Sequence, residues 1–445
     1  MTPSEEKYCQ HIRTLSDELV RIQKPIQILD AIKWPQGIEQ AFLASPNELP
    51  PLPADYYQSK PLPFDHASLK LQLYDLRSAI VNILGKRDRL GQILFNTTEQ
   101  YLLVLDMLEQ RGKPAFGEFS KRLYGSSNDK LHGDRHSLYE LGCGLSHLFS
   151  LPAARLAAAR HEKVHSAQAA VDILTQKLTP YFHNDEVKVR LNDGIMSDAA
   201  VGGDTIKINS NASFSDADLN IYEVHEGWVH VGTTLNGRAQ PYASWLSVGS
   251  PRVAATQEGL AVLLEMLTLS STPGRARRIS DRITAVNMAE SGADFLEIYR
   301  HFVDQDISAR DAYRITQRIF RGGMASGGSY FTKDISYVRG YVENVNFIRA
   351  AIMSGVPQLI PMLFIGKLAI EDIPTLYDAC QQGIIQAPSY LPPMFADYSG
   401  LYAWFGFASG LANIDLKGVQ RHFHKLFSEL PHAQPSTVLE ETEFG

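Results

Sequence analysis

Cysteine is scarce in this 445-residue chain: Cys9, Cys143 and Cys380 lie far apart and form no CxxC pair. That excludes a disulfide framework and a cysteine-built zinc site. Excess positive charge is missing too. The formal net charge is −7 and no basic run occurs, so nucleic acid is not expected as a partner. No internal repeat or low-complexity tract stands out. No uninterrupted apolar run reaches the roughly 20 residues of a membrane span, so no membrane partner is expected. The nearest, AAIMSGVPQLIPMLFIGKLAI from Ala350, carries Pro357, Pro361 and Lys367 and reads as a buried, proline-broken pair of helices. The start, MTPSEEKYCQHIRTLSDEL, is polar and acidic rather than basic then apolar, so the expected location is cytoplasmic.

What is present is a 44% hydrophobic composition, enough for a large core. The proline-rich stretch LPPLPADYYQSKPLPFD marks residues 1–60 as an N-terminal arm or linker. Residues 61–180 read as a helical region, from LKLQLYDLRSAIVNIL and TEQYLLVLDMLEQRG, with Gly112 at a helix stop. Residues 181–430 form a further region, expected to be continuous with it, and 431–445 a flexible tail. Within it, VKVRLNDGIMSDAAVGGDTIKINSNASFS alternates around Asp193-Gly194 and Gly202-Gly203, a hairpin signal. Ser215, with Asp218 three residues on, caps the next helix, and Asn236-Gly237 is expected to stop it. Ser250-Pro251 opens another helix. The fold class is mainly α (α+β), a helical frame around a small sheet.

Two histidine–glutamate motifs compete. HEKVH, residues 161–165, has the ordinary zinc-helix spacing, but Lys163 fills an interior position and no acidic third ligand follows on a helix. Glu186 is the next acid, in an expected loop. HEKVH therefore reads as a solvated helix face. HEGWVH, residues 225–230, has only Gly, Trp and Val between its ends. Its histidines are five apart, which leaves them about 140° apart on a regular helix. One wide π-type turn of about 4.4 residues brings them back to roughly 50°, and Gly227 eases that distortion. A catalytic zinc takes three protein ligands and one open position. Glu258, in QEGLA on the next helix, offers the third; Glu265, two turns later, is a weaker candidate, and Arg252 is a possible partner of Glu258.

HExxxH, then QEGLA, then RGGMASGGSYFTKDISYVRG at 321–340 together resemble the domain-of-unknown-function family named for its QEGLA motif. Its bacterial members are labelled flavohemoglobin-expression modulators, and its animal relatives include the microtubule-associated tyrosine carboxypeptidase. The resemblance spans roughly residues 60–420. It implies one Zn²⁺ per chain held by His225, His230 and Glu258, with Glu226 as catalytic acid/base. It also implies a zinc-metallopeptidase-like fold, with the HExxxH helix following a small sheet.

Carboxypeptidase chemistry adds two needs: a cation for the substrate's terminal carboxylate and a donor for the developing oxyanion. On the helix expected from about Thr332, Lys333, Tyr337, Tyr341 and Asn344 fall on one stripe, read as lining a cleft. Tyr337 is the expected oxyanion donor, with Tyr341 beside the substrate. Lys333 and Arg321 are expected to hold the carboxylate, unless they pair with acids such as Asp334. RGGMASGGS reads as a mobile rim, DTIKINS as a strand edge for an extended peptide, and FADYSGLYAWFGF as core. The expected function is hydrolysis of a C-terminal peptide bond in a peptide or protein tail. The alternatives are a zinc-binding regulatory protein acting through a partner, and a zinc amidohydrolase acting on a non-peptide amide.

Overall fold

Thr2 and Glu5 close a capping box on the helix Pro3–Gln23, whose Cys9, Ile12, Leu15, Leu19 and Ile22 recur at helical spacing and are buried. The computed structural model describes residues 2–428, apart from 36, 54, 159–160, 183–186, 196 and 412–413. The arm expected over residues 1–60 therefore begins as a core helix, Pro3–Gln23. Even its proline-rich end is tied down. The buried Tyr57 hydroxyl donates to the Ile32 carbonyl at 2.8 Å and accepts from the Gly322 amide at 2.7 Å. The tail expected at 431–445, and Glu186, lie outside the described residues.

The helical region follows its periodicity, with His66–Leu84 and Arg89–Glu109 packed together on buried leucines and isoleucines. HEKVH is exposed as expected, but it is not a helix. Ser166 accepts the Ala169 amide and so caps the helix Ala167–Leu178, which starts only after the motif. His165 instead makes an isolated bridge to Phe214, and its Nε2 lies 2.7 Å from Asp216 Oδ1.

The sheet has three strands, β1 (Lys188–Asn192), β2 (Ala199–Gly202) and β3 (Thr205–Asn209), in the order β1-β3-β2. The turn at Gly202-Gly203 joins β2 to β3 as an antiparallel hairpin, with Gly203 at φ +68°. Asp193-Gly194 makes no hairpin, because β1 pairs parallel with β3. DTIKINS is thus the central strand, both of its edges already used, and offers no place for a peptide to add.

Ser215 and Asp218 form the expected capping box, and a continuous helical run follows from Asp216 to Arg238. It ends at Arg238, one residue beyond the stop expected at Asn236-Gly237. The Asn236 side chain reaches the Phe364 and Tyr390 carbonyls (2.7 and 2.8 Å), and Gly237 is needed for space: a Cβ there would lie 2.1 Å from the Leu246 carbonyl oxygen. Val231 and Leu235 face the sheet side, with Ile206, Ile208 and Phe214; Val224 and Val229 face the main core, with Leu260 and Leu264. Between Gly355 and the C-terminal helices, the segment expected as a second helix is a 3₁₀ stretch, Pro357–Phe364, since Pro361 cannot donate within an α-helix. The aromatic segment splits: Phe395, Leu401 and Phe405 are buried, whereas Tyr402, Trp404 and Phe407 are exposed. Among the described residues no helix is long and apolar enough to cross a membrane.

One crossing positions the site. Helix Ala254–Leu267 meets helix Ser336–Met353 where Gly259 touches Gly340. A Cβ on Gly259 would lie 1.9 Å from the Gly340 carbonyl carbon, and one on Gly340 would lie 1.7 Å from the Ala255 carbonyl oxygen. The backbones are in contact. Gly259→Ala or Gly340→Ala must therefore push the helices apart, at a cost of about 1–3 kcal/mol or more. We expect a lowered urea midpoint together with weakened metal uptake; an unchanged midpoint would show that the crossing is looser than described.

Candidate metal centre

Within the helical run, Glu223–Val231 is wound as a π-helix. The wide turn brings the His225 and His230 rings to a centroid separation of 4.9 Å, at 84° to each other. Gly227 fits inside it because Leu178 lies against its α-carbon; a Cβ would meet Leu178 Cδ2 at 2.5 Å. Where the α-helix resumes, the Thr233 and Thr234 hydroxyls donate to the Val229 and His230 carbonyls, each at 2.7 Å. They satisfy backbone groups at the change of winding.

Glu258 arrives from the facing helix. Its Oε2 lies 3.6 Å from His225 Nε2 and 3.7 Å from His230 Nε2. One ligand atom from each of the three residues falls within a 4.8 Å set. Ligands bound at about 2.0–2.1 Å around a tetrahedral ion stand roughly 3.3 Å apart, so small movements suffice to close the set on a divalent metal. Two imidazoles and one carboxylate also make a donor set suited to such an ion. HEKVH gathers no comparable cluster among the described residues. Glu226, next to His225, is partly exposed, and its carboxylate makes no ion pair or side-chain hydrogen bond to another described residue.

The surrounding charges are dense. His225 Nδ1 lies 2.7 Å from Glu265 Oε1. The fully buried Glu265 also accepts from Arg275 (3.0 and 3.3 Å) and from the Ser271 hydroxyl (3.2 Å). Burial opposes ionisation of Glu265, but Arg275 and His225 outweigh it and hold the acid down to about 2. Glu265 thus lies outside the candidate ligand group; it would fix which His225 nitrogen faces a bound metal. Its two-turn spacing from Glu258 was the one sequence signal for it. Nothing in the pattern pointed to Arg275, which comes from the next helix, Pro273–Glu290.

Lys333 does not stand free for a substrate. Its ammonium donates to Glu258 Oε1 at 2.7 Å. Burial alone would lower Lys333, and Glu258 reverses that, while Glu258 itself is held well below the usual carboxylate range by Lys333 and the two histidines. Arg252 pairs with Asp372, not with Glu258. The acid near Lys333 and Arg321, Asp334, pairs bidentately with Arg318. Arg321 is buried with its guanidinium over Phe331 (5.5 Å), forms no ion pair among the described residues, and has an unpartnered Nε. Burial, then repulsion by Arg318, pulls it down to about 10. The Tyr337 ring stacks on His225 at 6.4 Å, under the Arg282 guanidinium at 4.6 Å. Tyr341 is partly buried between the two larger apolar clusters. A further cation escaped sequence reasoning: Lys367, held by its amide to the Leu246 carbonyl, lies in the field of Glu258 and Glu226 without an ion pair among the described residues.

Two outcomes follow for metal binding. Glu265→Ala should cost about 10- to 100-fold in metal affinity, read by competition with a chromophoric chelator. In the metal-free protein, burial would lower His225, but the carboxylates of Glu258, 3.6 Å from Nε2, and Glu265, 2.7 Å from Nδ1, raise it to about 10, so a protonated imidazole is the expected state at pH 7. A metal must displace that proton. Calorimetry in buffers of different ionisation heats should then show about one proton released per metal bound at pH 7, and none would contradict this placement of charge.

Comparison of the sequence with curated proteins gives no match. A family profile described as microtubule-associated tyrosine carboxypeptidase matches residues 40–413, most of the chain and the whole of the metal centre. By that match, the chain belongs to the microtubule-associated tyrosine carboxypeptidase family.

Proposed function

We propose that this protein is a zinc-dependent carboxypeptidase acting in the cytoplasm, which removes the C-terminal residue of a peptide or protein tail. The reading is carried by the convergence of His225, His230 and Glu258 beside an unpaired carboxylate, Glu226. A purely structural zinc site would close its fourth position and would have no use for that carboxylate. Membership of a carboxypeptidase family points the same way. The scarcity and wide spacing of cysteine fit a reducing compartment.

Zinc, when bound, supplies Lewis-acid polarisation of the scissile carbonyl and lowers the pKa of water at the open position. The remaining steps belong to the chain. Glu226 accepts a proton from the attacking water as its oxygen bonds to the carbonyl carbon. It then delivers that proton to the amide nitrogen as the C–N bond breaks. Tyr337, whose hydroxyl makes no hydrogen bond to another described residue, donates to the developing oxyanion. Arg321, buried and unpaired, receives the terminal carboxylate, for which its planar fork is well shaped. Tyr341, partly buried between the two larger apolar clusters, is the further proposed substrate contact, and Lys333, already bonded to Glu258, is left out of substrate binding.

The charge balance supports an anionic substrate end. Of the cations around Tyr337, Arg275 pairs with Glu265, Arg282 and Arg318 with Asp334, and Lys333 with Glu258. Arg321 has no ion pair among the described residues, and a carboxylate would offset its charge.

The test is release of C-terminal amino acids from a peptide mixture, followed by mass spectrometry, with tyrosine-ended peptides tried first because of the family's described activity. Glu226→Gln should keep zinc while slowing release by about 10²–10⁴-fold. Full activity in a zinc-loaded Glu226→Gln protein would remove the proposed role, and zinc-loaded wild type that cleaves nothing would favour a regulatory binder.

A further inference from the structure

Glu258 offers two oxygens and they are used differently. Oε2 faces both imidazole nitrogens, at 3.6 and 3.7 Å, whereas Oε1 receives the Lys333 ammonium at 2.7 Å. A carboxylate free at both oxygens can bind a metal through either one or both. The second oxygen, if it bound, would occupy the position that a catalytic zinc keeps open.

We infer that Lys333 is a positioning residue that confines Glu258 to one metal-binding oxygen and so keeps the fourth coordination position vacant for water. The inference rests on the metal centre proposed above and adds to it a function for a residue outside the ligand set.

Three features make Lys333 suited to this. It sits in the short 3₁₀ turn Lys333–Ile335, where the helix carrying Tyr337 begins, and the Gly259–Gly340 contact holds that helix against the one carrying Glu258. The distance from Lys333 to Glu258 is thus set by backbone packing rather than by a flexible loop. Its side chain is only 18% exposed and lies 5.8 Å from the Tyr337 ring centroid, which limits the directions open to the ammonium. Its other nearby acid, Asp334, is committed to Arg318. A lysine suits the task better than an arginine. A guanidinium fork tends to grip both carboxylate oxygens, whereas an ammonium acts as a point donor to one.

The experiment uses the full chain loaded with cobalt(II), whose visible absorption weakens as coordination number rises. Wild type should show the strong bands of a four- or five-coordinate ion. Lys333→Met should show weaker bands, reporting an added ligand, together with a change in cobalt affinity of about 10- to 100-fold. Lys333→Gln, one bond shorter and uncharged, cannot reach Glu258 across the same backbone distance and should weaken the bands as well. If Lys333→Met keeps both spectrum and affinity yet raises KM for free-acid peptides alone, Lys333 is a substrate anchor and the inference is overturned. If Lys333→Met does not fold, the glutamine variant decides: an unchanged spectrum and affinity there overturn the inference. Wild type that takes up no cobalt would refute the metal centre itself, an outcome distinct from either variant result.

Discussion

The site depends on one departure from regular helix geometry, the π-wound turn Glu223–Val231. On an ideal α-helix the two histidines would point about 140° apart and could not share an ion. Widening the turn aligns them, but it also disturbs backbone hydrogen bonding, and the neighbouring residues answer that disturbance. Gly227 admits Leu178 against the backbone, and the hydroxyls of Thr233 and Thr234 donate to carbonyls where regular winding resumes. On one side the helix packs on the sheet cluster and on the other on the main core. The distortion is therefore held by packing from both faces, as a strained element at a functional site must be.

Which parts could be read from sequence follows from which interactions are local. The wide turn was readable because spacing and a glycine encode it within six residues, and the capping box at Ser215 because it spans four. Glu258 was readable as a carboxylate on an otherwise apolar helix. The parallel pairing of β1 with β3 was not, because turn residues at Asp193-Gly194 carry no information about which strand lies alongside. The end of the helix carrying the two histidines lies one residue past the expected stop, but the partners of Asn236, carbonyls more than a hundred residues away, are recorded in no local pattern. HEKVH was misread as a helix because the real N-cap, Ser166, lies just beyond it.

The glycines of the two recognition motifs have a shared physical cause. Gly259 in QEGLA and Gly340 at the end of the FTKD stretch are the two surfaces of a single contact, and neither position tolerates a side chain. That contact converts two distant motifs into one rigid unit carrying Glu258, Lys333 and Tyr337. A candidate metal ligand, the lysine bonded to it and the proposed oxyanion donor then share a frame whose geometry is set by backbone-to-backbone distance.

That rigidity makes the buried charges tolerable. Glu265 with Arg275, and Asp334 with Arg318, are pairs whose desolvation is costly and is recovered only when the geometry is good. Each joins residues from different helices or from a helix and the turn at the next, so each is only as good as the packing between them. Arg321 is the exception. It too is buried, yet its Nε has no partner and no described acid forms an ion pair with it. A guanidinium left that way destabilises the free protein, and an incoming carboxylate would relieve the cost. The same arrangement that weakens the resting state would thereby strengthen binding of a chain end over a chain middle, which carries no charge at that position. Preference for a terminus can thus arise from an unpaired cation, without a wall to block a longer substrate.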